Sequence, residues 1–206
     1  MTEPATDTAS GARTSVAAAV LAGGRASRLG GDKANAVLGG ETLATRTVGS
    51  LRQAGLDPFI VTKRDRPVEV EGASVVIEPD LPQHPLAGVA AAIREAGGLD
   101  VIVLACDLPF IPVAWLGWLA GRDGETVIPC PGGVPQPLAA RYRPGNLKTI
   151  EAALDRQAPA REAAAELAAA FPGDDELADF GDPEEMFFNV NTAADLRRAE
   201  DRLAGN

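Results

Sequence analysis

The stretch that most limits how this 206-residue chain can fold is Leu21-Ala22-Gly23-Gly24-Arg25-Ala26-Ser27-Arg28-Leu29-Gly30-Gly31-Asp32-Lys33. The apolar run from Val16 to Leu21 leads straight into it. That run is short and bounded by glycine, so it reads as a buried strand. Four glycines then clear side chains from a sharp turn, which lets backbone N–H groups approach a ligand closely and tolerates positive φ. Arg25, Arg28 and Lys33 add three cations against one acid, Asp32. A strand that empties into a glycine loop with fixed cations is how a backbone cradles phosphates. The competing reading is a glycine-rich turn with solvated arginines.

Two common phosphate loops do not fit. A Walker A loop needs Gly-Lys followed by Ser or Thr, whereas Asp32 separates Gly31 from Lys33 and Ala34 follows. A dinucleotide fingerprint needs Gly-x-Gly, which the loop lacks.

The formal net charge of −10 argues against non-specific binding to nucleic acid or an anionic membrane. An acidic chain that binds an anion needs a local positive patch, and the glycine loop supplies one. No stretch approaches the ~20 apolar residues of a membrane span. Met1 to Ser15 has neither a basic nor an apolar core region, so it reads as a disordered tail rather than a secretory signal. Residues 16–206 then make a single α/β domain. Cys106 and Cys130 offer no disulfide framework or metal pattern, and the expectation is a cytoplasmic protein with buried thiols.

Along the chain, Leu43 to Ala54 carries Leu43, Val48 and Leu51 at helical spacing and stops at Gly55. Pro58 to Thr62 reads as a strand running into Lys63, Arg64 and Arg66, where nucleotide binding and a solvated charge run are equally good readings. Ala73 to Ile77 is a third strand. After Glu78-Pro79-Asp80 and His84-Pro85-Leu86-Ala87-Gly88 comes a small-residue helix, Val89 to Ala96, whose N-terminus can face an anion or a base edge. His84, the single histidine, reads as an exposed loop imidazole.

Val101 to Ala105 is an unbroken apolar run, fitting a central parallel strand covered on both faces. It delivers Asp107 to the sheet edge where α/β enzymes hold ligands. A carboxylate there suits magnesium, the alternative being a turn-forming Asp beside proline. Pro112 can open a helix bearing Trp115, Leu116 and Leu119, with the tryptophans in the core. Thr126 to Pro129 and Pro137 to Tyr142 read as strands around Gly132-Gly133. Pro144 to Leu154 and Ala160 to Ala170 read as helices, and acidic Gly173 to Glu185 as a mobile surface loop. Thr192 and Asp195 form a capping pattern for a last helix lined by Leu196, Ala199 and Leu203. Asn189 and Asn191 alternate in an extended segment, so both amides can face one site or satisfy turn backbone. Nothing in the pattern gives Lys33 a core role, so its removal is expected to cost phosphate contacts and leave folding intact.

Five islands carry a resemblance. LAGGRASRLGGDK resembles the LAGG-x-x-x-R-[ML]-G-G-x-x-K signature of nucleotidyltransferases related to the molybdenum cofactor guanylyltransferase, with one residue fewer before the lysine. Asp80 and Pro85-Leu86-Ala87-Gly88 resemble the family's acidic residue followed by GPLAG. Here His84 replaces the first glycine and the gap is shorter. Cys106 to Pro112 resembles CD-x-P-[FY]-[IL]-x, Gln136-Pro137-Leu138 resembles [HQE]-P-[LT], and Phe187 to Leu196 resembles F-x-N-[IV]-N-T-x-x-[DE]-L.

The resemblance implies a three-layer α/β/α sandwich with a Rossmann-like, mostly parallel sheet of the nucleotide-diphospho-sugar transferase type. It implies transfer of GMP from Mg²⁺·GTP to the terminal phosphate of molybdenum-bound molybdopterin, giving the guanine dinucleotide cofactor and pyrophosphate. Leu21, Ala22, Gly23, Gly24, Lys33, Asp80, Pro85, Leu86, Ala87, Gly88 and Asp107 would bind the nucleotide, and Asp107 the Mg²⁺. Arg28 and Lys33 would stabilise the triphosphate. Gln136, Pro137, Asn189 and Asn191 would lie beside the second substrate. Molybdenum-insertion or molybdoenzyme-delivery proteins would be partners. Two alternatives stay open: a cytidylyl- or sugar-phosphate nucleotidyltransferase, and a non-catalytic nucleotide-binding domain. The cytidylyl sister's loop reads LAAG and it lacks PLAG, which favours GTP here.

Overall fold

The structure is a computed structural model and describes residues 16–23, 25–26 and 31–205. The expected N-terminal tail, Gly24 and Arg28 lie outside the described residues. In chain order the elements are β1 (Val16–Leu21), β2 (Arg25–Ala26), β3 (Gly31–Asp32), β4 (Val37–Leu38), β5 (Glu41–Thr42), α1 (Leu43–Gln53), β6 (Pro58–Thr62), β7 (Val75–Ile77), α2 (Pro85–Glu95), β8 (Asp100–Ala105), α3 (Val113–Ala120), β9 (Ala139–Tyr142), α4 (Leu147–Asp155), α5 (Ala160–Ala165), α6 (Asp174–Leu177), α7 (Pro183–Met186) and α8 (Ala193–Gly205).

The main sheet runs β7-β6-β1-β8-β9. Its first four strands are parallel, and β9 is antiparallel to β8. β1 lies at the centre, with Leu21 level with Val61 on one side and Ala105 on the other. The two apolar runs expected to be central are therefore adjacent, with their C-terminal ends side by side. Alternation along each strand splits the core into two layers. Ala18, Val20, Ile102 and Leu104 pack with α1 and α3, while Ala19, Val101 and Val103 pack with α2 and α4. Burial on both faces explains why β8 shows no polar alternation.

The helices begin where their caps dictate. The Thr42 side chain accepts the Thr45 N–H at the start of α1, and Pro85 opens α2 behind His84. Thr192 and Asp195 cap each other's backbone N–H at the start of α8, as their spacing predicts. Among the described residues no helix is long and apolar enough to cross a membrane.

Three expectations need correction. Thr126 to Pro129 is not a strand of the main sheet: Val127 makes single bridges to Arg141 and Ala170. That capture also ends α5 at Ala165, because Ala170 is drawn into hydrogen bonds with Thr126 and Ile128 instead of continuing the helix. Acidic Gly173 to Glu185 is not a mobile loop either. It holds α6 and the first residues of α7, and Leu177 and Met186 are buried. Phe180 meets Trp115 edge-on at 5.2 Å. Its few apolar residues are spaced to seat against the α3 side while the acids stay in water.

One buried charge was not legible in the sequence. Arg141 on β9 is 1% exposed, pairs with Asp100 and Asp123, and donates to the carbonyls of Leu119 and Ala120. It closes the end of α3 against the sheet.

Candidate active site

A cavity of about 740 Å³ opens over the C-terminal ends of β1, β6 and β8 and beside α2. The strand ladder runs on just past these ends. The Ala22 N–H donates to Val61 O at 2.8 Å, Cys106 N–H to Leu21 O at 3.2 Å and Glu78 N–H to Thr62 O at 2.9 Å. The residues that follow are thereby held rigidly at the ligand edge of the sheet.

At one end of the cavity stands Lys33, 7% exposed. Its ammonium donates to the carboxylate of Asp107 and to the side-chain oxygen of Asn191, with the Asn189 oxygen at 3.4 Å. The backbone enforces the same meeting, since Val190 N–H donates to the Asp107 carbonyl at 2.9 Å. The segment carrying the asparagines is pinned further by Phe188, whose ring lies 6.1 Å from Phe110 and 3.9 Å beneath the Arg202 guanidinium. Asp195 closes the following turn. Burial pushes its carboxyl up, but hydrogen bonds from Thr192, Arg198 and the Asn191 and Thr192 N–H groups outweigh this and hold it below the usual range. The expectation that Lys33 has no structural role is overturned: it ties three chain segments together.

Asp107 has a second oxygen, Oδ1, that is buried and has no hydrogen-bond partner among the described residues. A buried carboxylate oxygen left open at the ligand edge of the sheet fits a hard divalent cation. Among the described residues no group of three or more His, Cys, Asp or Glu could hold a metal. One carboxylate suits Mg²⁺, which keeps waters and substrate phosphates as its remaining ligands.

At the other end stands Glu78, 5% exposed, paired with Lys63 at 3.0 Å. Lys63 also donates to the Pro79 carbonyl at 3.1 Å. Two glycines make room for this carboxylate. A Cβ at Gly23 would collide with Glu78 Oε1, and one at Gly88 would come within 3.1 Å of Oε2 and 3.2 Å of Leu21 Cδ2. Burial pushes the Glu78 carboxyl up, against the opposing pull of Lys63 and Arg66. At the mouth of α2, His84 Nδ1 accepts the Leu86 N–H at 3.2 Å, so the ring is a half-buried helix cap rather than a free loop imidazole.

Of the residues singled out in the sequence, Leu21, Gly23, Lys33, Asp80, Pro85, Gly88 and Asp107 line the cavity. Ala22, Leu86 and Ala87 do not, because they are buried in the core. Gln136 and Pro137 stop short of it, although Leu138 reaches it. Their turn is fixed from beneath by Tyr142, whose buried hydroxyl donates to Pro137 O at 2.6 Å; burial holds its proton well above the usual range. Asn189 and Asn191 are exposed and do not line it; they touch it only through Lys33. Glu78 and Lys63 were not foreseen as a pair. Glu78 carried one usable signal, being the first acid past a strand's C-terminal end.

A mostly parallel sheet between helices, with a glycine-cleared cavity over its strand ends and a lysine–carboxylate pair there, is the arrangement of a nucleotidyltransferase of the nucleotide-diphospho-sugar transferase fold. Comparison with known proteins agrees. The chain belongs to the MobA-like NTP transferase family, whose domain profile matches residues 18–170. It is 40% identical over 149 residues to a probable molybdenum cofactor guanylyltransferase of Opitutus terrae, covering 69% of this chain and 74% of that one. It is 32% identical to the molybdenum cofactor guanylyltransferase of Rhizobium leguminosarum bv. trifolii, covering 91% and 93%. The solved structure of molybdopterin-guanine dinucleotide biosynthesis protein A from Archaeoglobus fulgidus superposes with a TM-score of 0.76 at 26% identity, covering 92% of this chain and 99% of that one.

Proposed function

We propose that the protein is a molybdenum cofactor guanylyltransferase, transferring GMP from GTP to the terminal phosphate of molybdopterin. The observation that carries this reading is a cavity lined at one end by Lys33 and Asp107, with Asn189 and Asn191 behind them on the Lys33 ammonium, and at the other by the Glu78 carboxylate. The first group suits phosphates. The second suits the N1–H and N2–H donors of guanine, a pair that adenine and the pyrimidines do not present together. The names of the relatives in the MobA-like family support the same substrate pair.

In the reaction a phosphate oxygen of molybdopterin attacks the α-phosphorus of GTP. A new phosphoanhydride forms, the bond from the α-phosphorus to the β-bridging oxygen breaks, and pyrophosphate leaves with that electron pair. The attacking phosphate is already an anion near neutral pH, so no side chain has to remove a proton. Catalysis is positioning and charge neutralisation. Lys33 lines the cavity beside Asp107, and its ammonium would exchange that carboxylate for phosphate oxygens. Asn189 and Asn191 offer amides to the incoming phosphate. The loop amides and Arg28 would cradle the β- and γ-phosphates. Asp107, with its open Oδ1, would hold Mg²⁺, which when bound neutralises charge on the triphosphate. Delivery proteins would receive the product, and Cys106 and Cys130, which form no disulfide, suit the cytoplasm.

The test is pyrophosphate release with each of the four nucleoside triphosphates, with and without molybdopterin. Release with GTP alone among them, and only with molybdopterin present, is expected. Release with CTP, or with a sugar phosphate as acceptor, would overturn the reading.

A further inference from the structure

His84 immediately precedes Pro85-Leu86-Ala87-Gly88 at the start of α2. Its backbone is extended (φ −141°, ψ 142°), so nothing in the main chain demands a glycine there. The side chain caps α2 through Nδ1, which accepts the Leu86 N–H. An imidazole that accepts at Nδ1 carries its proton at Nε2. That Nε2–H has no partner among the described residues, while the ring lines the same cavity as Glu78 and Gly88. The base end of the cavity thus holds a fixed acceptor, Glu78, and a fixed donor, His84. The cap sets the ring's orientation before any ligand arrives, so the donor is paid for in advance by the helix.

Resting on the guanylyltransferase reading, we propose that His84 is a specificity-determining residue that donates Nε2–H to the O6/N7 acceptor edge of guanine while Glu78 takes the N1–H and N2–H donors. Guanine presents acceptors O6 and N7 on that edge, next to its two donors. Adenine puts an amino donor in place of O6, so the same Nε2–H would face N6–H and discriminate against it. The contact is local to this chain's loop: a glycine at position 84 would supply neither the cap nor the donor.

The test uses His84→Asn, which keeps a capping oxygen for the Leu86 N–H and removes Nε2–H. Binding of GTP, ATP, CTP and inorganic tripolyphosphate is measured by calorimetry on the full chain, beside melting temperature. Wild type should bind GTP most tightly. The variant should lose about five- to tenfold in GTP affinity, the worth of one hydrogen bond, and keep tripolyphosphate affinity and melting temperature. Unchanged GTP affinity would overturn the proposal while leaving the guanylyl reading intact. Equal losses for GTP and CTP would assign His84 to the ribose, and equal losses for GTP and tripolyphosphate would assign it to loop structure; either outcome overturns the base contact. A wild type that prefers ATP or CTP would overturn the guanylyl reading itself, and His84's role with it.

Discussion

Replacing Lys33 with Met removes the ammonium but keeps a long unbranched side chain, and its consequences can be worked from the site. The Lys33 and Asp107 side chains are 9% and 16% exposed. Without Lys33 the Asp107 carboxylate has lost its counter-charge, and neither oxygen then has a partner among the described residues. Stranding one member of a buried ion pair costs about 3–5 kcal/mol. This pair stands on the wall of an open cavity, which water can reach, so the cost should sit near about 3 kcal/mol. At about 2–4 °C per kcal/mol for a chain of this size, the melting temperature should fall by about 6–12 °C. Asp107→Asn should cost less, about 1–2 kcal/mol, because Lys33 still donates to Asn191. The double variant Lys33→Met/Asp107→Asn strands no charge. Its loss should be smaller than the sum of the singles by about 2 kcal/mol, as expected for coupled neighbours. Pyrophosphate release should fall by at least ~10²-fold in Lys33→Met, since a cation aimed at the triphosphate is worth about 3 kcal/mol or more in the transition state. Denaturant unfolding of the four proteins, with kinetics beside it, makes the comparison. Free energies that add within about 0.5 kcal/mol would refute the coupling, and full activity in Lys33→Met would refute the phosphate role.

Asp107→Asn should abolish most of the magnesium dependence of GTP binding, read by titration with and without the metal; a wild-type magnesium response would place the metal elsewhere. Gly23→Ala puts a methyl against the Glu78 carboxylate that Lys63 holds in place, so it should destabilise by about 1–3 kcal/mol and weaken GTP binding more than tripolyphosphate binding. The folded state raises the Glu78 pKa above 4.5, so its stabilising effect is full below pH 4.5 and is lost as pH rises through the raised value. Wild type should therefore lose melting temperature relative to Glu78→Gln between pH 4 and pH 7, and a relative gain would contradict the sign. Tyr142→Phe leaves the Pro137 carbonyl without its donor and should cost about 1–2 kcal/mol, seen in denaturant unfolding; no loss would mean the Gln136–Leu138 turn is held by other contacts.

How much of this was legible in the sequence follows from the range of the forces involved. The central strands were readable because a strand buried on both faces must be apolar throughout, as in Val101 to Ala105, and because glycine clusters mark where such strands end. Helix starts were readable where the cap is local, as with Thr192 and Asp195. The candidacy of Asp107 followed from its place past a buried strand. Tertiary structure alone decided what those residues meet. Lys33 reaches Asp107 and Asn191 across 74 and 158 positions of chain, and no local pattern encodes an ammonium shared between such distant segments. Glu78 became part of the site only because Gly23 and Gly88, from two other elements, leave the space a carboxylate fills. The acidic stretch from Gly173 to Glu185 misled for the same reason: its composition reports a solvated face, while Leu177 is buried and Phe180 packs against Trp115 and Trp118 of α3, which only the assembled fold brings near. Sequence determined which segments are strands, caps and glycine loops, since those depend on near neighbours and on burial. The packed fold decided which charges pair and which oxygens stay open, since those depend on distances that exist only after the chain has closed on itself.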